Sequence, residues 1–403
     1  MVPKLRFSEF NTPWKQVSLG EVCADAAYGM NSAATAFDGS NKYIRITDID
    51  DESREFSPSP LTSPSGTLDN KYLLRDGDIV FARTGASVGK SYLYKKNDGK
   101  LYFAGFLIRL SIKKANPCFV YNQTLTRKYR KWVKIYSMRS GQPGINAEEY
   151  KEFDFAIPSS EEQNKIADFL SSIEERIALM NKQYNLLCQY KKGMMQKIFS
   201  QELRFKDDRG EAFPEWDKQK LGDVAIFLKG KGVAKTDIIE YGERECIRYG
   251  ELYTDYGEVI NKIKSRTNQP LSDSILSVSH DVLIPSSGET AIDISKASCV
   301  LSDGVILGGD LNVIRSKLID GIFLSYYINS QKKYEIAQIA QGNSVVHLYA
   351  KQLAKIEIFY PCKTEQIKIA SFLSAIDEKI AATKKVMDKL KTWKQGLLQQ
   401  MFA

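Results

Sequence analysis

The sequence predicts an α+β chain built as a tandem pseudo-repeat. Two mixed α/β front domains are each followed by a long helix, and the two helices pair as an antiparallel coiled coil. Three observations predict this. The chain matches itself at an offset near 203 residues; each half ends in a heptad-patterned stretch; each front carries short apolar runs bounded by turn residues.

The self-match has several blocks in one order. Trp14-Lys-Gln-Val-Ser-Leu19-Gly20-Glu21-Val22 is echoed by Trp216-Asp-Lys-Gln-Lys-Leu221-Gly222-Asp223-Val224. Glu162 to Ile177 matches Glu365 to Ile380 at 11 of 16 positions. Between them Ile44-Arg45 echoes Ile247-Arg248, Asp78 echoes Asp281, and Gly85 echoes Gly288. At the join, Leu203-Arg204-Phe205 echoes Leu5-Arg6-Phe7. One block could arise by chance, whereas an ordered series at one offset indicates duplication. The boundaries read as a front over 1–158, a helix over 159–200, a polar linker over 201–213, a second front over 214–361 and a second helix over 362–403.

The tails carry a/d seams. The first runs Ile166, Leu170, Ile173, Ile177, Met180, Tyr184, Leu187, and the second Ile369, Leu373, Ile376, Ile380, Thr383, Met387, Leu390. Apolar residues stepping 4, 3, 4, 3 put one stripe along a helix. A helix of roughly 38 residues spans ~57 Å. The expected N-caps are Ser159-Ser160 and Thr364. Lys191 and Lys394 fall in the same seam slot, where a polar residue sets register. Two helices each pairing with other proteins would give the same stripes. A pseudo-twofold between the repeats favours pairing with each other.

In the fronts, Tyr43–Ile46, Asp78–Ala82, Lys100–Phe103, Leu107–Leu110 and Phe153–Ile157 read as strands, as do Asp281–Ile284, Cys299–Leu301, Asn312–Arg315 and Lys355–Tyr360. Helices are expected near Val120–Met138 and Phe323–Ala340. The fronts diverge far more than the tails, so one frame with two surfaces, and two targets, is expected.

Composition narrows the function. Hydrophobic residues at 43% and charged residues at 26% fit a folded globular chain. No apolar run approaches the ~20 residues of a membrane span, and the N-terminal stretch lacks the apolar core of a secretion signal. Six scattered cysteines without a CxxC pair suit a reducing cytoplasm, and two histidines leave too few ligands for structural zinc. A net charge of +8 permits nucleic-acid binding without requiring it.

Motifs for chemistry are weak. Gly85-Ala-Ser-Val-Gly89-Lys90-Ser91 is one residue short of a phosphate loop, and the second repeat lacks its Gly-Lys. Asn116-Pro117-Cys118-Phe119 reads as a turn before a helix. The acids Asp48, Asp50 and Asp51 lack a nuclease context. Surfaces that could meet DNA remain. Arg83, Thr84, Ser87 and Lys90 form one small-residue loop, with Ser286 and Ser287 in the matching place. Arg127, Lys128 and Arg130 lie in a basic, aromatic stretch, which fits either a solvated helix face or phosphate contact. Gln142 and Asn146, and Asn343, Ser344 and His347, occupy equivalent polar loops whose amides suit adenine. Arg45 and Arg248 complete the candidates.

The chain resembles the specificity subunit of type I restriction–modification systems. The residues that carry the resemblance are Glu-Gln-x-Lys-Ile-Ala-x-Phe-Leu at 162–170 and 365–373, Trp-x-x-x-x-Leu-Gly-[Asp/Glu]-Val at 14–22 and 216–224, and the Ser-Gly and Gln-Gly loops before the tails. The resemblance spans essentially the whole chain and reads as a full-length subunit. It implies a non-catalytic DNA reader in which each front is a target recognition domain for half of a bipartite double-stranded target. The paired helices act as a ruler and dock two methyltransferase subunits; motor-nuclease subunits join them. S-adenosylmethionine, ATP and Mg would belong to those partners, so no cofactor or metal is expected on this chain. The tails match because identical partners bind both; the fronts differ because they read different bases. A helical scaffold whose fronts bind something other than DNA is the rival reading.

Overall fold

The computed structural model describes residues 3–272, 274–342 and 345–402. The chain forms two compact units, Met1–Asn181 with Lys385–Ala403, and Lys182–Lys384. Each unit therefore combines one front with segments of both long helices, a division that contiguous sequence segments do not anticipate.

In the first unit, an antiparallel sheet has the order Cys23–Tyr28, Leu107–Ile112, Asp78–Ala82, Ser91–Leu93. All five residues of Asp78–Ala82 are buried. Ile79 and Phe81 face one core with Phe119, Tyr129 and Tyr150; Val80 and Ala82 face another with Ile44, Tyr92 and Phe103. A strand covered on both sides needs apolar residues at every position, which explains its unbroken run. Beside it, Lys42–Ile44 pairs in parallel with Leu101–Phe103. Strand Lys15–Ser18 pairs with Asp154–Ile157 and brings the two ends of the front together where the first long helix begins.

The second unit repeats this plan with variations. Its main sheet runs Ile226–Lys229, Leu311–Arg315, Asp281–Pro285, Ser298–Val300, Val259–Ile260. Arg244–Ile247 pairs in parallel with Ile306–Leu307, and Asp217–Lys220 pairs with Glu357–Tyr360. The Asp78 and Asp281 echo marks the same strand start, where the carboxylate accepts the backbone N–H of Arg75 or Val278 at 2.8 Å.

The expected helices of the fronts are each broken. Pro117–Gln123 and Arg127–Tyr136 are separate helices. The hydroxyls of Thr124 and Thr126 bond back to the carbonyls of Tyr121 and Gln123, and Thr126 then caps the next helix. In the second unit a π-helical turn, Ile328–Lys332, separates Gly321–Tyr327 from Lys333–Ile339.

The long helices span Ser160–Phe199 and Lys363–Met401. The second opens one residue ahead of the expected cap Thr364. In the first unit, Ile166, Leu170 and Ile173 share a core with Leu397, Leu398, Met401 and Phe402. In the second, Ile369, Leu373 and Ile376 share one with Met195, Ile198 and Phe199. Ile177 and Ile380 pack on those cores; Leu187 and Leu390 are half-buried. The seam lysines each find an acid on the other long helix. Lys191 pairs with Asp377 at 2.7 Å and with Glu258 at 2.9 Å, and Lys394 pairs with Glu174 at 2.6 Å. Burial works against the charge of Lys191, but Glu258 and Asp377 outweigh it and hold its ammonium above the ordinary value.

The best-matched sequence block is a latch. Glu162, 1% exposed, takes Arg6 Nε at 2.7 Å and Nη2 at 2.8 Å; Glu365 takes Arg204 Nη2 at 2.7 Å. Gln163 accepts the N–H of Asn116 and donates to Pro158 O, while Gln366 accepts from Asp320 N and donates to Pro361 O. Lys165 pairs with Glu9, and Lys368 with Asp208. Phe7 packs edge-on against Phe169, and Phe205 against Phe372. Arg-Phe and Glu-Gln-x-Lys are thus two halves of one lock, used once in each unit.

Candidate nucleic-acid interface

The glycine of each opening strand's end seats the candidate surface. Gly29 N–H donates to Leu107 O at 3.1 Å, and Gly230 N–H to Leu311 O at 2.9 Å. A methyl group at either would collide with a main-chain carbonyl, that of Ala104 or of Gly308. Gly29→Ala is therefore expected to cost on the order of 3 kcal/mol. Urea unfolding of the variant would check this; an unchanged midpoint would refute the close approach.

Two loops are then laced to that end of the sheet. Arg83 N–H donates to Phe106 O at 3.1 Å, and Ser286 N–H to Asp310 O at 2.8 Å. Ile145 N–H donates to Arg83 O, and Leu348 N–H to Ser286 O, both at 2.9 Å. Thr84 bridges Gly144, and Ser287-Gly288 pairs with Val346-His347. In each unit, the small-residue loop and the polar loop that the sequence singled out separately form one platform. The main-chain bonds at Arg83 and at Ser286 correspond. The side chains do not.

In the first unit, Gln142 is exposed and lies over Gly85, with Nε2 3.1 Å from where a Cβ would stand. Thr84 and Ser87 are half-buried. Asn146 is exposed, but its Oδ1 accepts the N–H of Glu149 and caps helix Ala147–Lys151. Arg83 lies over the ring of Tyr28, 5.2 Å from its centroid. In the second unit, Ser286 and Ser287 are buried, and the Ser286 hydroxyl has no partner. His347 is exposed and stacks beside Tyr349. Asn343 and Ser344 lie outside the described residues.

Other candidates have different positions. Lys90 is 7% exposed and turns inward: its ammonium donates to Ile49 O at 3.0 Å and pairs with Asp51 at 2.5 Å. A cation held that way is no phosphate contact. Arg45 grips Asp48 through Nε and Nη2, and Arg248 pairs with the buried Glu251. Their echo in the sequence is a repeated internal ion pair, which accounts for Asp48, while Lys90 accounts for Asp51 among the three clustered acids. Arg127 and Arg130, with Lys131, line a groove against Thr392, Gln395, Gly396 and Gln399; Lys128 is exposed on the same helix. Another face of that helix is seated on the first loop, since Tyr129 donates to Gly89 O. Sequence reasoning missed Tyr28 and Phe106, which are 44% and 61% exposed. The signal was Ala104-Gly105-Phe106, an aromatic in a glycine turn between two apolar strands. Among the described residues no group of His, Cys, Asp and Glu has the geometry to hold a metal.

A family model described as type I restriction modification DNA specificity domain matches residues 11–189 and, a second time, residues 214–392. The chain belongs to this family. Two type I specificity subunits of Methanocaldococcus jannaschii are similar along most of their length. The putative MjaX subunit is 27% identical over 338 residues, covering 81% of this chain and 78% of its own. The MjaVIII subunit is 23% identical over 365 residues, covering 86% and 83%. The crystal structure of the type I S subunit from M. genitalium matches 100% of this chain and 99% of its own, with a TM-score of 0.65 at 17% identity, a likeness of fold. As a type I specificity subunit, the chain serves DNA sequence recognition through two tandem specificity domains. No helix among the described residues is long and apolar enough to cross a membrane.

Proposed function

We propose that this chain is the non-catalytic reader of a type I complex, and that each front reads one half of a bipartite double-stranded target. The observation that carries this reading is the duplicated platform: corresponding main-chain bonds at Arg83 and Ser286, different side chains. A frame that is constant and a surface that varies suit two half-sites of different sequence. Gln142 in the first unit and His347 in the second are the base-reading candidates, whereas the buried Ser286 and Ser287 hold the frame; Asn343 and Ser344 stay with the candidates from sequence. Thr84, Ser87 and the second amide position of Asn146 serve at the rim. Arg127, Lys128 and Arg130 supply phosphate contacts.

The long helices pair as an antiparallel coiled coil that sets the gap between half-sites. The shared cores of opening and closing turns support this, as do the reciprocal pairs Lys191–Asp377 and Lys394–Glu174. Two methyltransferase subunits dock on these helices and bring S-adenosylmethionine; motor-nuclease subunits bring ATP and Mg. The chain itself binds none of these cofactors and works in the cytoplasm.

The adenine methylome of the host, with and without this gene, tests the reading. Loss of one split motif methylated on both strands is expected. A methylome that does not change in a host where the partner subunits are active would refute it. Exchanging residues 1–158 for another front of the family should alter one half-site only. Sequencing of the new motif checks this, and a change in both halves would refute modular reading.

A further inference from the structure

We infer that the first unit reads a guanine through Arg83, and that the second unit has no counterpart of this contact. The inference rests on the DNA-reading role proposed above and adds a base identity and an asymmetry to it.

Arg83 shares a buried, unpartnered Nε with Arg109 and Arg248 but, unlike them, holds no acid. Among the described residues no carboxylate or carbonyl accepts from its guanidinium, whereas Arg6, Arg45, Arg109, Arg204, Arg248 and Arg315 all hold acids. Its Nε is buried without a hydrogen-bond partner. Its guanidinium carbon lies over the Tyr28 ring, 5.2 Å from the centroid. Tyr28 is itself pinned, because its hydroxyl accepts the N–H of Ala147 at 3.2 Å. An arginine laid on a fixed ring has lost much of its rotational freedom before any ligand arrives. What remains unsatisfied is the fork of N–H donors, and that fork matches the O6 and N7 acceptors of guanine.

Phe106 stands next in the frame, since its carbonyl receives the Arg83 N–H, and its side chain is 61% exposed. An exposed phenyl beside a guanine-reading arginine suits the methyl of a neighbouring thymine or the face of a neighbouring base. In the second unit the equivalent hydrogen bond joins Ser286 to Asp310. There the guanidinium is replaced by a buried hydroxyl and the phenyl by a carboxylate, which repels a guanine's acceptor edge.

The test uses the assembled methyltransferase complex in cells and single-molecule sequencing of its methylated motif. Arg83→Gln and Arg83→Lys are each expected to make one guanine degenerate, in one half-site only, with the other half and the gap unchanged. The preference for that guanine should fall on the order of 10- to 100-fold. Lysine keeps the charge, so binding that Arg83→Gln weakens and Arg83→Lys restores, with no guanine made degenerate in either variant, would overturn the inference in favour of a phosphate contact. An unaltered motif in both variants would overturn it too. A second measurement needs no variant. In duplexes carrying 7-deazaguanine at each guanine in turn, the unsubstituted complex should lose affinity at one position of that half-site; equal binding throughout would overturn the N7 contact. If the unsubstituted chain directs no split motif, the DNA-reading role itself falls, a result distinct from a motif that ignores Arg83.

Discussion

Glu162→Ala is expected to cost about 3–5 kcal/mol, enough to unfold much of the first unit. The Glu162 carboxylate is 1% exposed and is the acceptor for both Arg6 nitrogens and for Trp14 Nε1. Deleting it leaves a guanidinium, 11% exposed, with only the carbonyl of Thr12 to meet. The cost lies in stranding that charge, more than in the worth of the pair itself. Glu365→Ala should do the same to Arg204 in the second unit. Urea unfolding followed with a probe in each unit would show each substitution moving its own transition. A loss below 1 kcal/mol would mean that the latch is dispensable.

The second large effect is on specificity. Seven residues inserted into each long helix, between 177 and 187 and between 380 and 390, preserve the seam and lengthen it by ~10.5 Å. The methylated motif should keep both halves and gain a gap about 3 bp longer. An insertion in one helix alone should abolish methylation. It moves Lys191 away from Asp377, or Lys394 away from Glu174, and breaks the register of the seam in one unit. Methylome sequencing of the three variants decides. A gap that does not change with matched insertions would refute the ruler.

What the sequence revealed was whatever one stretch of chain encodes alone. The heptad seams and the apolar run of Asp78–Ala82 are such features, because period and burial are written in neighbouring residues. The duplication was legible for the same reason. What it hid were side chains whose meaning depends on distant partners. Arg6 and Glu162 are 156 positions apart, so a lock read as a helix start plus an unexplained echo. Lys90 looked like a phosphate ligand beside Gly89; only the fold shows it turned toward Asp51. Arg45 looked free and is held by Asp48, three residues on. The platform was half legible: both loops were marked by composition, but their junction needs Ile145 N–H on Arg83 O, a pairing no local pattern announces. The break at Thr124–Thr126 was missed because apolar residues continue across it, while two hydroxyls bond back to the chain.

The lacing of the loops by main-chain bonds has an evolutionary consequence. Each bond that holds Arg83 or Ser286 in place uses an amide or a carbonyl, which every residue but proline supplies in full. The exposed side chains that the same frame carries, Gln142 and His347, can therefore change with little effect on folding. Point substitutions at those two positions are expected to leave stability nearly unchanged while they change which sequence is addressed. The DNA address can thus change by single steps on a frame whose latch and seam stay as they are.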